Sequence, residues 1–264
     1  MLPSSATAAI SLPKAMVIRC LYHSGFGIEC DAFTMVIDAY QTHCQGTPCA
    51  ENGVVAQDLL QRPGPFYVLA SHVHGDHFHR SMLQWHAQRP DIRYLFSSDI
   101  QANHYAAEID FIHYLHPYEH YQDECVHVET FGSTDAGVSF VIRGGGKTLF
   151  HAGDLNNWHW NEEADPGYAQ QAEADYLHEL ERIVRAYPHF DAAMFPVDPR
   201  LGRDFARGAE QLMERADVSF LLPMHFREHP DAPQRLKAMH PDWPIVAWTH
   251  RGQAVLLPSE TPKG

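Results

Sequence analysis

The sequence predicts an α/β fold: one domain with two sheets and helices outside them. Three observations predict it. Short β-branched and aromatic runs fall into two separate series, one before and one after residue 124. Segments with helical periodicity alternate with strands in both halves. No internal repeat, low-complexity block or long linker divides the chain, so residues 16–264 are expected to form a single domain behind a flexible tail, residues 1–15.

The elements follow in order. "MVIRCLYHSGFGIEC" (16–30) and "FTMVIDAY" (33–40) are apolar runs broken by glycine and predict a hairpin-like start. "VVAQDLLQRPG" (54–64) predicts a short helix stopped by Pro63 and Gly64. "FYVLAS" (66–71) is a buried strand, "SMLQWHAQ" (81–88) a helix with Ser81 as N-cap, "IRYLFSS" (92–98) a strand and "DIQANHYAAEI" (99–109) a helix. "HYLHPYEH" (113–120) is expected to be a loop or lid. The second series of strands is "ECVHVETF", "GVSFVIR" and "KTLFHAGD". Residues 171–187 carry the clearest helical stripe, Ala172, Tyr176, Leu180, Ile183 and Tyr187, and Pro188 ends it. Strand "DAAMFPV", helix "DFARGAEQLMERA", strand "VSFLLPM", a short proline-rich helix, and strands "IVAWTH" and "QAVLLP" complete the chain.

Composition narrows the function classes. The chain has 264 residues, 19 Lys+Arg against 33 Asp+Glu, and a formal charge of −14. That balance argues against a surface that coats nucleic acid, which needs clustered cations. No apolar run approaches the roughly 18 residues of a membrane span, and the N-terminal stretch lacks the pattern of a signal peptide. Five cysteines, an odd number, suit a reducing cytoplasm better than a disulfide framework, and Cys44 and Cys49 read as reduced loop thiols. "GGGKT" (144–148) imitates the end of a phosphate loop, but Val141 stands where its first glycine belongs and a strand follows, so it is a glycine turn.

The chemistry concentrates where strands end. "FYVLAS" runs into "SHVHGDHFHR" (71–80), "KTLFHAG" into Asp154, and "VSFLLPM" into His225. In α/β folds ligands gather at the carboxyl ends of strands. His72 and His74, two apart on an extended segment, project to the same side and can reach one ion, while Gly75 lets Asp76 and His77 turn to a second. Imidazole and carboxylate are ligands of zinc and its neighbours. Asp154 could bridge the two ions and His225 complete the second. His79 is expected to cap the following helix or orient a neighbour.

"HVHGDH" (72–77) matches the HxHxDH motif of the metallo-β-lactamase fold superfamily, and "HAGD" (151–154) and "PMHF" (223–226) match its later aspartate and histidine motifs in order. "HSGFGIE…VIDAY" resembles the opening strands of the branch that includes ascorbate-6-phosphate lactonase-like proteins. The resemblance covers nearly all of residues 16–257. It implies a four-layer αβ/βα sandwich and two divalent metal ions, usually zinc, sometimes manganese or iron. It places His72, His74, Asp76, His77, Asp154 and His225 as metal ligands, Asp76 and Asp154 being the catalytic pair. One departure stands out. The superfamily takes a third histidine for the first ion from a mid-chain turn, where this chain has Gly132 and Ser133, with His127 about five residues early. Asp135 could substitute, or only the second position fills.

His159 beside Trp158 and Trp160, Arg200 in "FPVDPRLG", and His23 after the first strand are the candidate substrate contacts; Arg200 either clamps an anion or pairs with Asp198. His151 is a candidate support for the ligands. The leading expectation is a hydrolase that uses a metal-bound hydroxide on a small-molecule ester, lactone or phosphodiester. The competing one is a one-metal protein with a non-catalytic or sensor role; redox chemistry at a di-iron site would need a flavin partner. A small-molecule substrate is the expected partner, with neither nucleic acid nor membrane, and a homo-oligomer is compatible with the sequence.

Overall fold

A computed structural model of the chain describes residues 15–103, 109–227 and 229–258. All but the last residue of the expected tail, residues 1–15, lies outside them, as does part of the expected helix 99–109.

The strands are β1 (Met16–Tyr22), β2 (Gly25–Glu29), β3 (Thr34–Ile37), β4 (Phe66–Ala70), β5 (Arg93–Ser97), β6 (Ile112–Leu115), β7 (His120–Gln122), β8 (Val126–Phe131), β9 (Ser139–Gly144), β10 (Lys147–His151), β11 (His189–Phe190), β12 (Ala192–Pro196), β13 (Asp217–Val218), β14 (Leu221–Met224) and β15 (Ala254–Leu257). One sheet has the order β15-β1-β2-β3-β4-β5-β6, the other β14-β12-β10-β9-β8-β7; β11 and β13 form a small pair. The antiparallel hairpin β1–β2 opens the first sheet, and β3 to β6 continue it in parallel. In the second sheet β8, β9 and β10 form an antiparallel meander, and β12 and β14 extend it in parallel.

The alternation of side chains in β4 and β5 explains the layering. All five residues of "FYVLA" are buried, because both faces of the strand are covered. Tyr67 and Leu69 point into the core that the first sheet shares with β8, β9 and β10, where Val128, Phe140, Ile142 and Leu149 meet them. Phe66, Val68 and Ala70 point the other way, against Leu59 and Leu60 of α1 (Gln57–Leu60), Met82 and Trp85 of the 3-10 helix Arg80–Ala87, and Ile100 of α2 (Ser98–Ala102). The outer face of the second sheet receives α3 (Pro166–Ala186) through Tyr176, Leu180 and Ile183, and α4 (Arg207–Met213) through Ala209 and Leu212. Helix, sheet, sheet and helix make the predicted four layers.

The sequence reading is corrected in three places. "HYLHPYEH" is not a loop: His113 lies on β6 and His120 on β7. "IVAWTH" forms no strand; it contributes a single bridge, Leu221 to Ile245. Of the two residues offered as cap of the 80–87 helix, the cap is His79, as expected, whose Nδ1 accepts from the Ser81 amide, and not Ser81. Among the described helices none is long and apolar enough to cross a membrane.

α3 begins earlier than its apolar stripe because Asp165 caps it, accepting from the amides of Gly167 (3.0 Å) and Tyr168 (3.1 Å), with Pro166 preset at the first helical position. Asp165→Ala is expected to lower unfolding free energy by about 1 kcal/mol in urea titration, with the slope unchanged.

Candidate metal centre

Strands of both sheets end at one edge, and within three residues of each end lies a polar side chain. β1 delivers His23, β3 Asp38, β4 Ser71 and His72, β10 Asp154, β12 Asp198 and β14 His225. Every one of these is buried. His23, Asp38 and His225 have positive φ (55°, 46° and 61°), a backbone conformation that L-residues hold only when their surroundings compel it. The sheets are stitched together here: Val138 donates to the Ser71 carbonyl at 2.9 Å. A Cβ on Gly137 (φ 64°) would lie 2.1 Å from that carbonyl, so only glycine allows the approach.

Asp154 is the centre of the cluster. Its Oδ1 lies 3.1 Å from His77 Nε2 and 3.3 Å from His225 Nε2, and its Oδ2 lies 3.4 Å from His72 Nε2. Each of the three rings is held from behind through Nδ1. His77 donates to Asp38 Oδ2 at 2.7 Å and His225 to Asp198 Oδ2 at 2.9 Å. Ser71 gives its one hydroxyl proton to Asp38 at 2.6 Å, so its oxygen accepts from His72 Nδ1 at 3.0 Å. With Nδ1 of each ring committed to the acceptor behind it, Nε2 is the atom turned toward Asp154. His72 Nε2, His77 Nε2 and Asp154 Oδ1 are buried without a hydrogen-bond partner among the described residues, and each such orphan costs about 1–3 kcal/mol. Ring nitrogens and a carboxylate converging this closely fit a cation, which would displace any proton held there.

Three overlapping groups bring their donor atoms within 4.8 Å of one another: His72, His77 and Asp154; His23, Asp76, His77 and His225; and His74, Asp135 and Asp154. All six candidate metal ligands read from the sequence fall in these groups. Asp135, one of the substitutes considered for the missing third histidine, has its Oδ2 3.6 Å from His74 Nδ1, both side chains being about half exposed. His127 is elsewhere, on β8, near Gln122 and Glu129.

The charge balance shapes the protons. Burial opposes a charge on His77, but Asp154 and Asp38 on either side outweigh it and push its pKa up to about 10. His225 is also raised, Asp154 and Asp198 overcoming burial. Asp154 is buried too, yet the facing imidazoles hold it well below the usual carboxylate range. Burial lowers His72 to about 3 and His23 to about 4.

The candidate substrate contacts fare differently. His23 is 2 % exposed and donates from Nε2 to Asp76 Oδ2 at 3.2 Å, inside the cluster, and it also lines a cavity beside it. Arg200 pairs with Asp198, its Nε lying 2.9 Å from Oδ2, and thereby supports the carboxylate that holds His225. His159 is not brought to the cluster. One ring nitrogen donates to the Asp204 carbonyl (3.2 Å) and the other accepts from the Asn161 amide (3.1 Å), so both are engaged away from the cluster. His151 sits beneath the site, donating to the Ser24 carbonyl at 2.9 Å with Asp38 at 4.0 Å. Trp158 packs edge-on against His225 and donates to the Asp154 carbonyl at 2.8 Å.

Sequence reasoning missed Asp38 and Arg227. Asp38 lies in the quoted run "VIDAY", where its burial in an apolar strand end was the available signal. Arg227, which pairs with Asp76, had none. Asp38→Ala is expected to reduce metal affinity about 10–100-fold, read by chelator competition, while the far-ultraviolet dichroism stays unchanged. Unaltered affinity would show that Ser71 alone holds the rings.

No protein-family profile and no curated protein matches the chain. Solved structures do. Igni18, a novel metallo hydrolase from the hyperthermophilic archaeon Ignicoccus hospitalis, superposes with TM-score 0.64 at 15 % identity over 93 % of this chain and 100 % of that one. The metallo-β-lactamase fold protein YhfI from Bacillus subtilis gives 0.59 at 12 % identity over 92 % and 99 %. CmlA, a diiron β-hydroxylase from Streptomyces venezuelae, gives 0.53 at 12 % identity over 81 % of this chain, which spans 45 % of CmlA. With its two sheets, outer helices and edge cluster, this chain has the metallo-β-lactamase fold.

Proposed function

We propose that the protein is a metal-dependent hydrolase that holds two divalent ions and cleaves a small-molecule ester, lactone or phosphodiester. The observation that carries this reading is the convergence of three imidazole Nε2 atoms on the Asp154 carboxylate. His72, His74, Asp135 and Asp154 would hold one ion, and Asp76, His77, Asp154 and His225 the other, with His23 steadying Asp76. The nitrogen and oxygen donors suit zinc. Bound there, the ions would supply Lewis acidity and lower the pKa of water.

The chain's own groups then have separable tasks. Asp154, with Oδ2 toward His72 and Oδ1 toward His77 and His225, would be shared by both positions. Asp38, Ser71 and Asp198 orient the rings from behind, which keeps the lone pairs aimed inward. Asp76 anchors one side of the second position, held in place by His23 and Arg227. Arg200, half exposed beyond Asp198, is available to an anionic part of a substrate. Asp135 beside His74 favours two ion positions over the single ion of a sensor. The five cysteines are free thiols, which supports a cytoplasmic location, and the substrate is proposed to be a small molecule rather than nucleic acid or membrane.

Asp154→Ala should lose metal at both positions, whereas Asp76→Ala should mainly empty one. Elemental analysis of the two purified variants, beside a screen of generic ester, lactone and phosphodiester substrates, tests the reading; an Asp154 variant that keeps both ions overturns it. Hydrolysis should fall by several orders of magnitude in the same variant.

Metal uptake should also release protons. A ring whose pKa lies near 10 carries its proton at neutral pH, and an ion must displace it to take the lone pair. Affinity should therefore rise about tenfold per pH unit for each displaced proton between roughly pH 6 and 8. Chelator competition at several pH values checks the sign, and a flat profile would contradict it.

A further inference from the structure

Two cavities open beside the second metal position and meet at a single short segment. The larger, of about 350 Å³, is walled by Tyr22, Phe226 and Trp248, with Cys20 and His23 among its lining. The smaller, of about 270 Å³, is lined by Asp198, Arg200, Phe226, Arg227 and His229. Phe226 and Arg227 belong to both. Arg227 holds a positive φ of 38°, two residues after the equally left-handed His225, so the segment is bent sharply where it divides the cavities.

The larger cavity reaches the metal centre through His23, which donates to Asp76, and through Arg227, which pairs with the same carboxylate. Its walls are mostly apolar, with Thr249 and His250 also in the lining. Trp248 is 2 % exposed and has its one N–H committed to the Pro223 carbonyl at 3.0 Å, so it offers a ring face or edge and no donor. Arg251 also lines this space, yet its N–H groups go to the carbonyls of Leu21, His43 and Gly53 while its guanidinium stacks on Tyr22 at 4.6 Å. Its planar face is wall, not an anion receptor. The smaller cavity has the opposite character: two guanidinium groups, Arg200 and Arg227, border it, and Arg200 has only part of its donor set engaged by Asp198.

We propose that the substrate is a small molecule with a compact apolar body, an aryl or branched alkyl group, that carries one carboxylate or phosphate group. The body sits in the Trp248 cavity, the anion lies between Arg200 and Arg227, and the bond to be cleaved comes over Asp76. This rests on the hydrolase reading for the bond cleaved, but its claim about shape and charge is separate. The volume matches the small end of ligand pockets, and an apolar wall beside a few placed cations is their usual composition. Cleavage of a sugar phosphate, whose body is hydroxylated, would leave hydroxyl groups facing Trp248 and Phe226 without partners.

Calorimetric binding to the protein with its metal tests this. The probes are phenylphosphonate against methylphosphonate and phenylacetate against acetate, the two pairs separating phosphate-like from carboxylate recognition. The aryl member of at least one pair should bind about tenfold tighter or more, the gain expected from burying a ring. Thr249→Trp, which narrows the rim of the larger cavity, should bring the pair to within about twofold. Phe226→Ala, which enlarges it, should instead raise affinity for 1-naphthylphosphonate relative to phenylphosphonate. Equal binding within both pairs, or a preference that neither variant alters, overturns the proposal. Hydrolysis of simple esters without any aryl preference would discard the cavity assignment and keep the hydrolase; an aryl preference without hydrolysis of any substrate would do the reverse.

Discussion

The Asp154 carboxylate is the fixed point of this structure. Three imidazoles from two stretches of chain face it, and each is held by another acceptor behind it, so the cluster repeats a unit of carboxylate or hydroxyl, ring and central carboxylate. The two sheets have to meet at this edge for the unit to close. His72 and His77 come from the first sheet, Asp154 and His225 from the second. The apolar layer between the sheets, from Tyr67 and Leu69 to Phe140 and Ile142, sets their separation, and the edge cluster inherits its geometry from that packing.

Electrostatics give the site its asymmetry. Carboxylates gather on the side that holds the rings, whereas Arg200 and Arg227 stand on the outer side beside Asp198 and Asp76. A strongly acidic chain thus places cations next to the opening of its most acidic cluster. The overall charge of −14 says nothing about this local reversal, because pairing at a few ångströms outweighs the mean field of a screened surface.

Much of this was legible in the sequence. The alternation of strand and helix gave the layers, and HxHxDH with the ordered aspartate and histidine gave the residues that now cluster. Local grammar was less informative where long-range pairing decides. "IVAWTH" has the composition of a strand, yet only Ile245 finds a bridge partner, while polar "HYQ" at 120–122 becomes a strand because β8 offers it an edge. Asp135 was legible only as one substitute among alternatives, since its approach to His74 depends on the turn after β8. Asp38 and Arg227 show a different limit. What they touch lies 39 and 151 residues away along the chain, and no spacing rule spans that distance.

The cluster draws on residues from His23 to His225, and no run of neighbouring elements holds a whole set of donors. A nascent chain that has emerged only as far as β10 owns "HVHGDH" and Asp154 but lacks His225 and the Asp198 that aims it. Ion capture in full is therefore a late event of biogenesis, possible once β14 has docked on β12. A chain truncated before β14 would keep His72, His74, Asp135 and Asp154 but lack His225, so the ion of the second position would act as the seal on a finished product.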